Sequence, residues 1–312
     1  TKNLNIIKKN NLKFRIIDSL DEKKLLKLKE FDLILDSIIG IGANFPLRKD
    51  TIDLLDNIGR SINHKKQIVI SIDNPSNLDS DKGNVLTKYF KSDFTLMIGY
   101  PKLGCHIAFQ PEIVGNLITL DIGIDEKTIN WKFPKRHLLD KKWAKKILPK
   151  RPLNSHKGTS GSTLIIGGSI NYPGAAFFTG SSATKTGVGL VGLMIPNSIY
   201  HIIAKKLPDA IFFPIEEFKE QVPLKFLSKF TSIVIGPGMG LEENTRKFTL
   251  YTLKKLSDND FKSKKIILDA DALNQISSEK KWWDKVPGEC ILTPHFGEMS
   301  RLTKISIQEI QK

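Results

Sequence analysis

The strongest constraint on this chain is a rhythm: short apolar runs rich in β-branched residues, each closing on Gly, Asp or Pro, alternate with stretches of helical spacing. Strands buried in a parallel sheet read as continuous apolar runs, and intervening helices make the crossovers, so the pattern specifies α/β units. In a first series, 31–36 (FDLILD), 67–73 (QIVISID), 94–99 (FTLMIG) and 116–123 (NLITLDIG) are expected strands. Between the first two, Ile52, Leu55, Ile58 and Ile62 recur at helical spacing and predict a helix over 51–63. A second series comprises 162–169 (STLIIGGS), 190–196 (LVGLMIP), 232–238 (SIVIGPG), 264–271 (KKIILDAD) and 290–295 (CILTPH). Helices are expected over 173–187 and 244–255, with the start of another at 306–312. The segment 125–154 breaks the rhythm and is dense in Lys, Arg, Trp and Pro, so the domain junction is placed there, giving domains 1–130 and 131–312. A chain of 312 residues is long enough for two domains, each with its own core.

A net charge of +15 favours anionic partners through long-range attraction. Its lysines are scattered as pairs such as Lys8-Lys9, Lys65-Lys66 and Lys264-Lys265, without the interleaved aromatics of a single-strand platform. A solvated Lys-rich surface is the expected reading, with no nucleic-acid role. Cys105 and Cys290 stand far apart without a ligand cluster, which points to neither a disulfide framework nor a zinc site. No apolar run approaches the ~18 residues of a membrane span, and the N-terminal stretch lacks the apolar core of a signal peptide. A cytoplasmic location without membrane attachment is expected. The chain begins at Thr1, which suggests processing or a fragment.

In open α/β sheets ligands collect outside the carboxyl ends of the strands, and nearly every polar motif here falls at such an end. Asp36 closes the first strand and precedes the glycine-containing loop Gly40, Ile41, Gly42, Ala43, Asn44, Phe45, Pro46. Alone, such a loop is as consistent with a turn or helix cap as with a ligand contact. The next strand closes on Asp73, followed by Pro75, Ser76, Asn77, Leu78, Asp79 and Asp81. Clustered carboxylates suit acid/base work or a hard cation; an Asx turn is the alternative.

Asp36-x-x-x-Gly-x-Gly with Asp73-x-Pro-Ser-x-Leu-Asp, followed by PKLGCH (101–106) and LITLDIGI (117–124), resembles the second half of the YjeF-type NAD(P)HX epimerase domain, a Rossmann-like sheet. The resemblance implies Asp36 and Ser76 as potassium ligands, Gly40 to Pro46 as the loop contacting the hydrated nicotinamide nucleotide, and Asp73 as the substrate-binding, catalytic acid. Asn77 stands where the family usually has Gly; Asn tolerates positive φ, so the turn is expected to survive. The family's upstream Asn-Asn-Gly-Gly-Asp phosphate loop has no counterpart before Asp36, so only part of an epimerase domain is expected.

Residues 148–305 resemble the ADP/ATP-dependent NAD(P)HX dehydratase domain, a ribokinase-like α/β fold, through several motifs in family order. His156-Lys157-Gly158 is followed by a strand ending in Gly167-Gly168-Ser169, then Pro173-Gly174-Ala175-Ala176 opens a helix whose free N–H groups suit an anionic nucleotide. His156 and Lys157 alone read as surface residues; the resemblance makes them nucleotide-site neighbours. Gly236-Pro237-Gly238-Met239-Gly240 lets a phosphate or nicotinamide lie against backbone, or is simply a turn. Asp269, Asp271 and Asn274 are expected at the nucleotide, the carboxylates either orienting Mg²⁺ or capping the local loop. Ala175, Gly238 and His295, the last in Thr293-Pro294-His295-Phe296-Gly297-Glu298, match substrate-contacting positions. The family's late Gly-Asp loop would lie beyond Lys312, so this domain is also expected to be partial.

The resemblance implies a bifunctional enzyme that epimerises hydrated NADH and NADPH and dehydrates the S hydrate with ADP or ATP, using K⁺ in the first domain and Mg²⁺ in the second. Its partner is NAD(P)HX; homo-oligomerisation stays open. Two other classes remain: a ribokinase-like vitamin-precursor kinase, and a non-catalytic YjeF-type domain serving as an RNA or partner surface. Phosphorylation of hydroxymethyl-pyrimidine or hydroxyethyl-thiazole substrates would reveal the first, salt-sensitive RNA retention the second.

Overall fold

A computed structural model describes residues 27–43, 46–107, 110–124, 136–149, 153–154, 158–219, 221–258, 261 and 263–311. The chain divides into two compact units, Thr1–Lys146 and Ile147–Lys312.

In the first unit four parallel strands lie in the order β1-β2-β3-β4: β1 Leu33–Asp36, β2 Ile68–Ile72, β3 Phe94–Ile98 and β4 Asn116–Leu120. Helix α1, Lys49–Ser61, makes the first crossover. Its Ile58, with Ile62 just beyond its end, packs on Val69 of β2 and on Phe90, following the spacing seen in the sequence. Two short helices, α2 Leu103–Ile107 and α3 Pro111–Val114, link β3 to β4 and place Cys105 and Val114 against Met97. The other face of the sheet keeps Leu33, Leu35, Ile68 and Ile118 exposed. Helix α4, Lys141–Ile147, follows at the end of the unit.

The second unit is a six-stranded parallel sheet in the order β10-β9-β8-β5-β6-β7. Its strands are β5 Ser162–Ile166, β6 Leu190–Pro196, β7 Ile211–Ile215, β8 Ser232–Ile235, β9 Lys265–Leu268 and β10 Cys290–Leu292. Helix α5, Pro173–Thr186, starts on Pro at its first turn and stops at Gly187, while α6, Asn197–Lys206, packs beside it. The remaining crossovers are α7 Leu224–Lys229, α8 Glu243–Leu256 and α9 Asp271–Ile276, and the described chain ends with α10 Phe296–Thr303 and α11 Ile307–Ile310. Helices on both faces bury the central strands: Leu164, Ile165, Ile166, Leu193, Met194 and Ile195 are all 0% exposed. Each such side chain contributes roughly 1.5–3 kcal/mol by leaving water.

Strand β7 (IFFPI) was not expected from sequence. Its Pro214 lacks the N–H that a central strand must donate, and the structure resolves this by placing β7 at the sheet edge, with Pro214 opposite Ile195.

Chain direction reverses its growth between β5 and β8. From β5 the sheet extends through β6 to β7; the chain then returns to the other side of β5 and extends through β8 and β9 to β10. That crevice is the topological switch point, where ligands of open parallel sheets bind.

Candidate functional sites in the two units

In the first unit, strand register builds a buried carboxylate cluster. Asp36, the last residue of β1, sits opposite Ser71 of β2 and is 1% exposed. Its Oδ2 accepts from Ser71 Oγ and from the Ser76 backbone N–H, both at 2.8 Å. Its Oδ1 accepts from Ser76 Oγ at 2.5 Å and from Ile38 N at 3.3 Å. Ser76 Oγ also accepts from Ile39 N at 2.9 Å, so the turn after β2 is pinned to the loop after β1. These donors compensate a charge that would otherwise be costly to bury. As a potassium site the donor set fits: carboxylate and hydroxyl oxygens are what a hard cation takes. Binding there would require the Ser76 hydroxyl to turn its proton away from Asp36.

Gly40, Ile41 and Gly42 are exposed, Ala43 is half-buried and Pro46 is exposed, at the same strand end as Asp36. Ala43 N–H bonds Gly40 O at 3.3 Å, making a turn, and open space surrounds Gly40 and Gly42. Asn44 and Phe45 lie outside the described residues.

Asp73 follows β2 with φ 70, a left-handed conformation that short polar side chains tolerate better than most. Its backbone N–H bonds Leu96 O at 2.8 Å, and its Oδ1 accepts from Ile98 N at 3.0 Å and lies 2.7 Å from Lys102 Nζ. Lys102 Nζ also donates to the carbonyls of Ile98 and Tyr100, at 2.8 and 3.0 Å. Lys102 was missed as a site residue; its only sequence signal is its place in PKLGCH, after the strand that pairs with β2. Cys105, beneath this pair, has its thiol pushed up to about 11, by burial first, with Lys102 opposing and Asp73 adding. It is therefore a protonated, inert neighbour at neutral pH.

The left-handed residue of this turn is Asp73, and Asn77 does not draw on its tolerance of positive φ. Asn77 instead is fully buried and donates from Nδ2 to Thr87 O and Phe90 O, both at 2.8 Å, so its side chain ties the turn to a later loop. Asp79 makes the Asx turn, accepting from the N–H groups of Asp81 and Lys82.

In the second unit the motifs meet at the switch point. Gly168 N–H bonds Pro237 O at 2.7 Å, joining the loops that follow β5 and β8. Gly238, at φ 65, lies so close to α5 that a Cβ there would stand 2.6 Å from Ala175 Cβ and 2.9 Å from Tyr172 Cβ. Ala175 and Gly238, expected together from sequence, are therefore neighbours at the entrance of α5. Gly236 is tighter still, since its φ of 124 brings it against Asp269 O. His156 and Lys157 lie outside the described residues.

Further along the same edge, Asp269 Oδ1 accepts from Thr293 Oγ1 at 2.8 Å, and Asp271 Oδ2 accepts from Gly240 N at 2.9 Å. Each carboxylate thus ties its strand end to the next, the loop-holding role weighed from sequence. Among the described residues no group of three or more His, Cys, Asp or Glu side chains could hold a metal ion. Mg²⁺ commonly binds through one or two carboxylates plus substrate phosphates, and Asp269 and Asp271 fit that mode, each with one oxygen that these bonds leave over.

His295 is the N-cap of α10: its Nδ1 accepts from Gly297 N at 3.0 Å and Glu298 N at 3.3 Å, while Glu298 Oε2 accepts from His295 N at 2.9 Å. An accepting Nδ1 places the proton of the neutral ring on Nε2, which lies 3.2 Å from Glu298 Oε1. The side chain is 66% exposed, so the cap still presents its imidazole at the strand edge. Asn274 accepts at Oδ1 from Arg301 Nε at 2.8 Å. Cys290 is a free thiol also pushed up to about 11 by burial.

The comparisons with known proteins agree with this division. Residues 163–312 match the family model described as NAD(P)H-hydrate dehydratase, and residues 1–104 match that of the YjeF-related protein N-terminus. The bifunctional NAD(P)H-hydrate repair enzyme Nnr of Dictyoglomus turgidum is 33% identical over 297 residues, covering 92% of this chain and 55% of its own length. The enzyme of the same name from Coxiella burnetii is 30% identical over 284 residues, covering 90% of this chain and 54% of its own. An ADP/ATP-dependent NAD(P)H-hydrate dehydratase from Bacillus subtilis, crystallised with ATP and Mg²⁺, is 30% identical, with coverage of 55% and 57% and a TM-score of 0.45. The chain spans about half the length of the curated relatives it matches. This one polypeptide thus joins a segment that matches the YjeF-related N-terminus to a segment that matches NAD(P)H-hydrate dehydratase, and it is similar over about nine tenths of its length to bifunctional NAD(P)H-hydrate repair enzymes.

Proposed function

We propose that this chain acts in the repair of hydrated NADH and NADPH, through an epimerase-like domain over 1–130 and a dehydratase-like domain over 131–312. The two segment matches and the likeness to bifunctional repair enzymes support both activities. The observation that carries the reading is the meeting of Gly168, Gly238 and Ala175 at the switch point of the second sheet, a crevice shaped for close backbone contact with a nucleotide.

In the first domain, epimerisation requires reversible loss and return of the hydroxyl on the nicotinamide ring. Asp73 acts on that carbon as acid/base or by stabilising positive charge on the ring, and Lys102 and Ile98 N–H hold its carboxylate in place. Gly40, Ile41, Gly42, Ala43, Asn44, Phe45 and Pro46 contact the nucleotide. Asp36 and Ser76 would hold K⁺, which would supply positive charge beside the anionic substrate.

In the second domain, phosphoryl transfer from ADP or ATP turns the ring hydroxyl into a better leaving group. Ala175 at the start of α5 and the backbone of Gly238 receive the substrate, and the exposed imidazole of His295 contacts it. His156, Lys157, Asp269, Asp271 and Asn274 border the adenine nucleotide. Mg²⁺ held with Asp269 and Asp271 would neutralise phosphate charge. The working site of this repair is the cytoplasm.

The test is recovery of NADH absorbance from NADHX with ADP or ATP present, and interconversion of the R and S hydrates without nucleotide. Recovery by the full chain supports the reading; failure of both reactions refutes it.

A further inference from the structure

Beneath the ion pair of Asp73 and Lys102 lies a second link between the same two segments, buried and uncharged. Asn74, the residue after Asp73, is 2% exposed, and Cys105, a helical turn after Lys102, is 3% exposed. Cys105 Sγ lies 3.4 Å from Asn74 Oδ1 and donates its S–H to it. The nitrogen of the amide is used as well: Nδ2 donates to Pro75 O at 2.8 Å and to Leu78 O at 2.7 Å. Two carbonyl acceptors on one side fix which end of the amide carries nitrogen, so the oxygen faces the thiol.

Each member of this link holds one member of the ion pair. Asp73 has the left-handed φ of 70, and the bonds of the Asn74 amide pin the residue that follows it. On the other segment Lys102 leads into α2, whose buried residues are Gly104 and Cys105. Gly104 N–H bonds Ser80 O at 2.6 Å and has no room for a Cβ against Asp79 O, so α2 lies directly on the turn that Asp73 begins. Cys105 then sets where α2 sits along that turn, and with it where Lys102 begins its reach to Asp73 Oδ1. The thiol can donate because burial pushes it up to about 11 and so keeps its proton in place. An apolar residue at 105 would still pack on Leu78, Met97 and Val114, but it would leave Asn74 Oδ1 buried without this donor.

We propose that Asn74 and Cys105 are a positioning pair that keeps Lys102 on Asp73, and that the S–H donor of Cys105, not its bulk, carries the effect. That the ion pair so held serves hydrate epimerisation rests on the repair function proposed above; the positioning itself does not.

Lys102 reports on this positioning without any substrate. Its side chain is 13% exposed and ion-paired, so limiting acetic anhydride should acetylate it slowly beside the exposed lysines of the full chain, as read by peptide mass spectrometry. Cys105→Ala should raise the Lys102 rate about three- to tenfold, the weight of one neutral hydrogen bond, with the other lysines unchanged. Asn74→Leu should raise it at least as much, and adding C105A to that variant should change nothing further, because the link is already gone. Cys105→Ser keeps a donor and should recover most of the native protection, whereas Cys105→Val keeps the bulk and should not. Protection by Val and not by Ser would assign Cys105 to packing and overturn the proposal. So would an unchanged Lys102 rate in C105A, or a rise at every lysine alike, which would report loss of fold. Interconversion of the R and S hydrates supplies the second readout: C105A should lower kcat by a similar factor at unchanged KM, and C105S should restore it. If Lys102 protection follows the donor but the native chain interconverts nothing, the positioning stands and the epimerase reading falls. If C105A loosens Lys102 and epimerises at the native rate, the tie between this pair and the reaction is refuted.

Discussion

Asp73 and Lys102, 29 positions apart, form an ion pair of 2.7 Å across the ends of β2 and β3, and it is the most direct link between chemistry and topology in the first unit. Lys102 is also fastened to two backbone carbonyls, so it presents a fixed positive charge to a carboxylate on a left-handed residue. Lys102→Met should therefore lower hydrate epimerisation at least tenfold while leaving ADP-dependent dehydration intact. The measurement is R-to-S interconversion followed by chromatography, beside the dehydration rate. Equal loss of both activities would mean that the protein had unfolded.

Asp73 itself separates strain from chemistry. Asp73→Asn keeps a side chain that tolerates φ near 70 and should retain the fold while slowing epimerisation by about 10²–10⁴-fold. Asp73→Val, with a β-branched side chain in the same backbone conformation, should in addition cost about 1–2 kcal/mol of stability. Urea unfolding of the two variants distinguishes them.

Removing the Ser76 hydroxyl takes one donor from buried Asp36. Ser76→Ala should destabilise the first unit by about 1–3 kcal/mol, the cost of leaving a buried acceptor short of a partner. If the pair also holds potassium, the activity of the native chain should rise with K⁺ over Na⁺ and that of the variant should not.

At the switch point, Gly238→Ala should abolish dehydration and also cost about 1–3 kcal/mol of stability, because at φ 65 the added methyl overlaps Ala175 Cβ and Tyr172 Cβ where the substrate is expected. Gly236→Ala should be worse for folding: it adds a Cβ against Asp269 O at φ 124 and should cost about 3 kcal/mol or more. Thermal unfolding and turnover together rank the two.

His295 tests capping against contact. His295→Ala should lose about 1 kcal/mol with the cap, whereas His295→Asn keeps an oxygen for the Gly297 and Glu298 N–H groups and should restore stability. Dehydration should stay impaired in both if the imidazole touches the substrate. Full activity in the Asn variant would assign His295 to capping alone.

Both cysteines make a pH prediction. Burial raises each thiol from 9.0 to about 11, so the folded state prefers the protonated form. Their stabilising contribution is fully present below pH 9 and is lost as pH climbs through 11. The melting temperature should fall over that window, and less steeply in Cys105→Ala. Thiol labelling at pH 7.5 should be slow and should accelerate toward pH 11.

What the sequence determined by itself is local. Nine strands, helix α1 with its buried stripe, the Pro173 start of α5 and the Gly-rich strand ends are all legible, because apolar periodicity and helix-terminus chemistry act within a few residues. The motifs at the ends of β5, β8, β9 and β10 were also readable in order, which is why the family could be recognised without coordinates. Only the tertiary structure decided what long-range pairing decides. The strand order that puts Gly168 beside Pro237, 69 positions later, comes from how the crossovers pack and has no local signature. The same holds for Ser76 on Asp36, 40 positions apart, for Lys102 on Asp73, and for Arg301 on Asn274. Strand β7 marks the boundary between the two kinds of knowledge: its Pro214 argues against a strand locally, and the sheet edge, where an N–H need not be donated, makes it one.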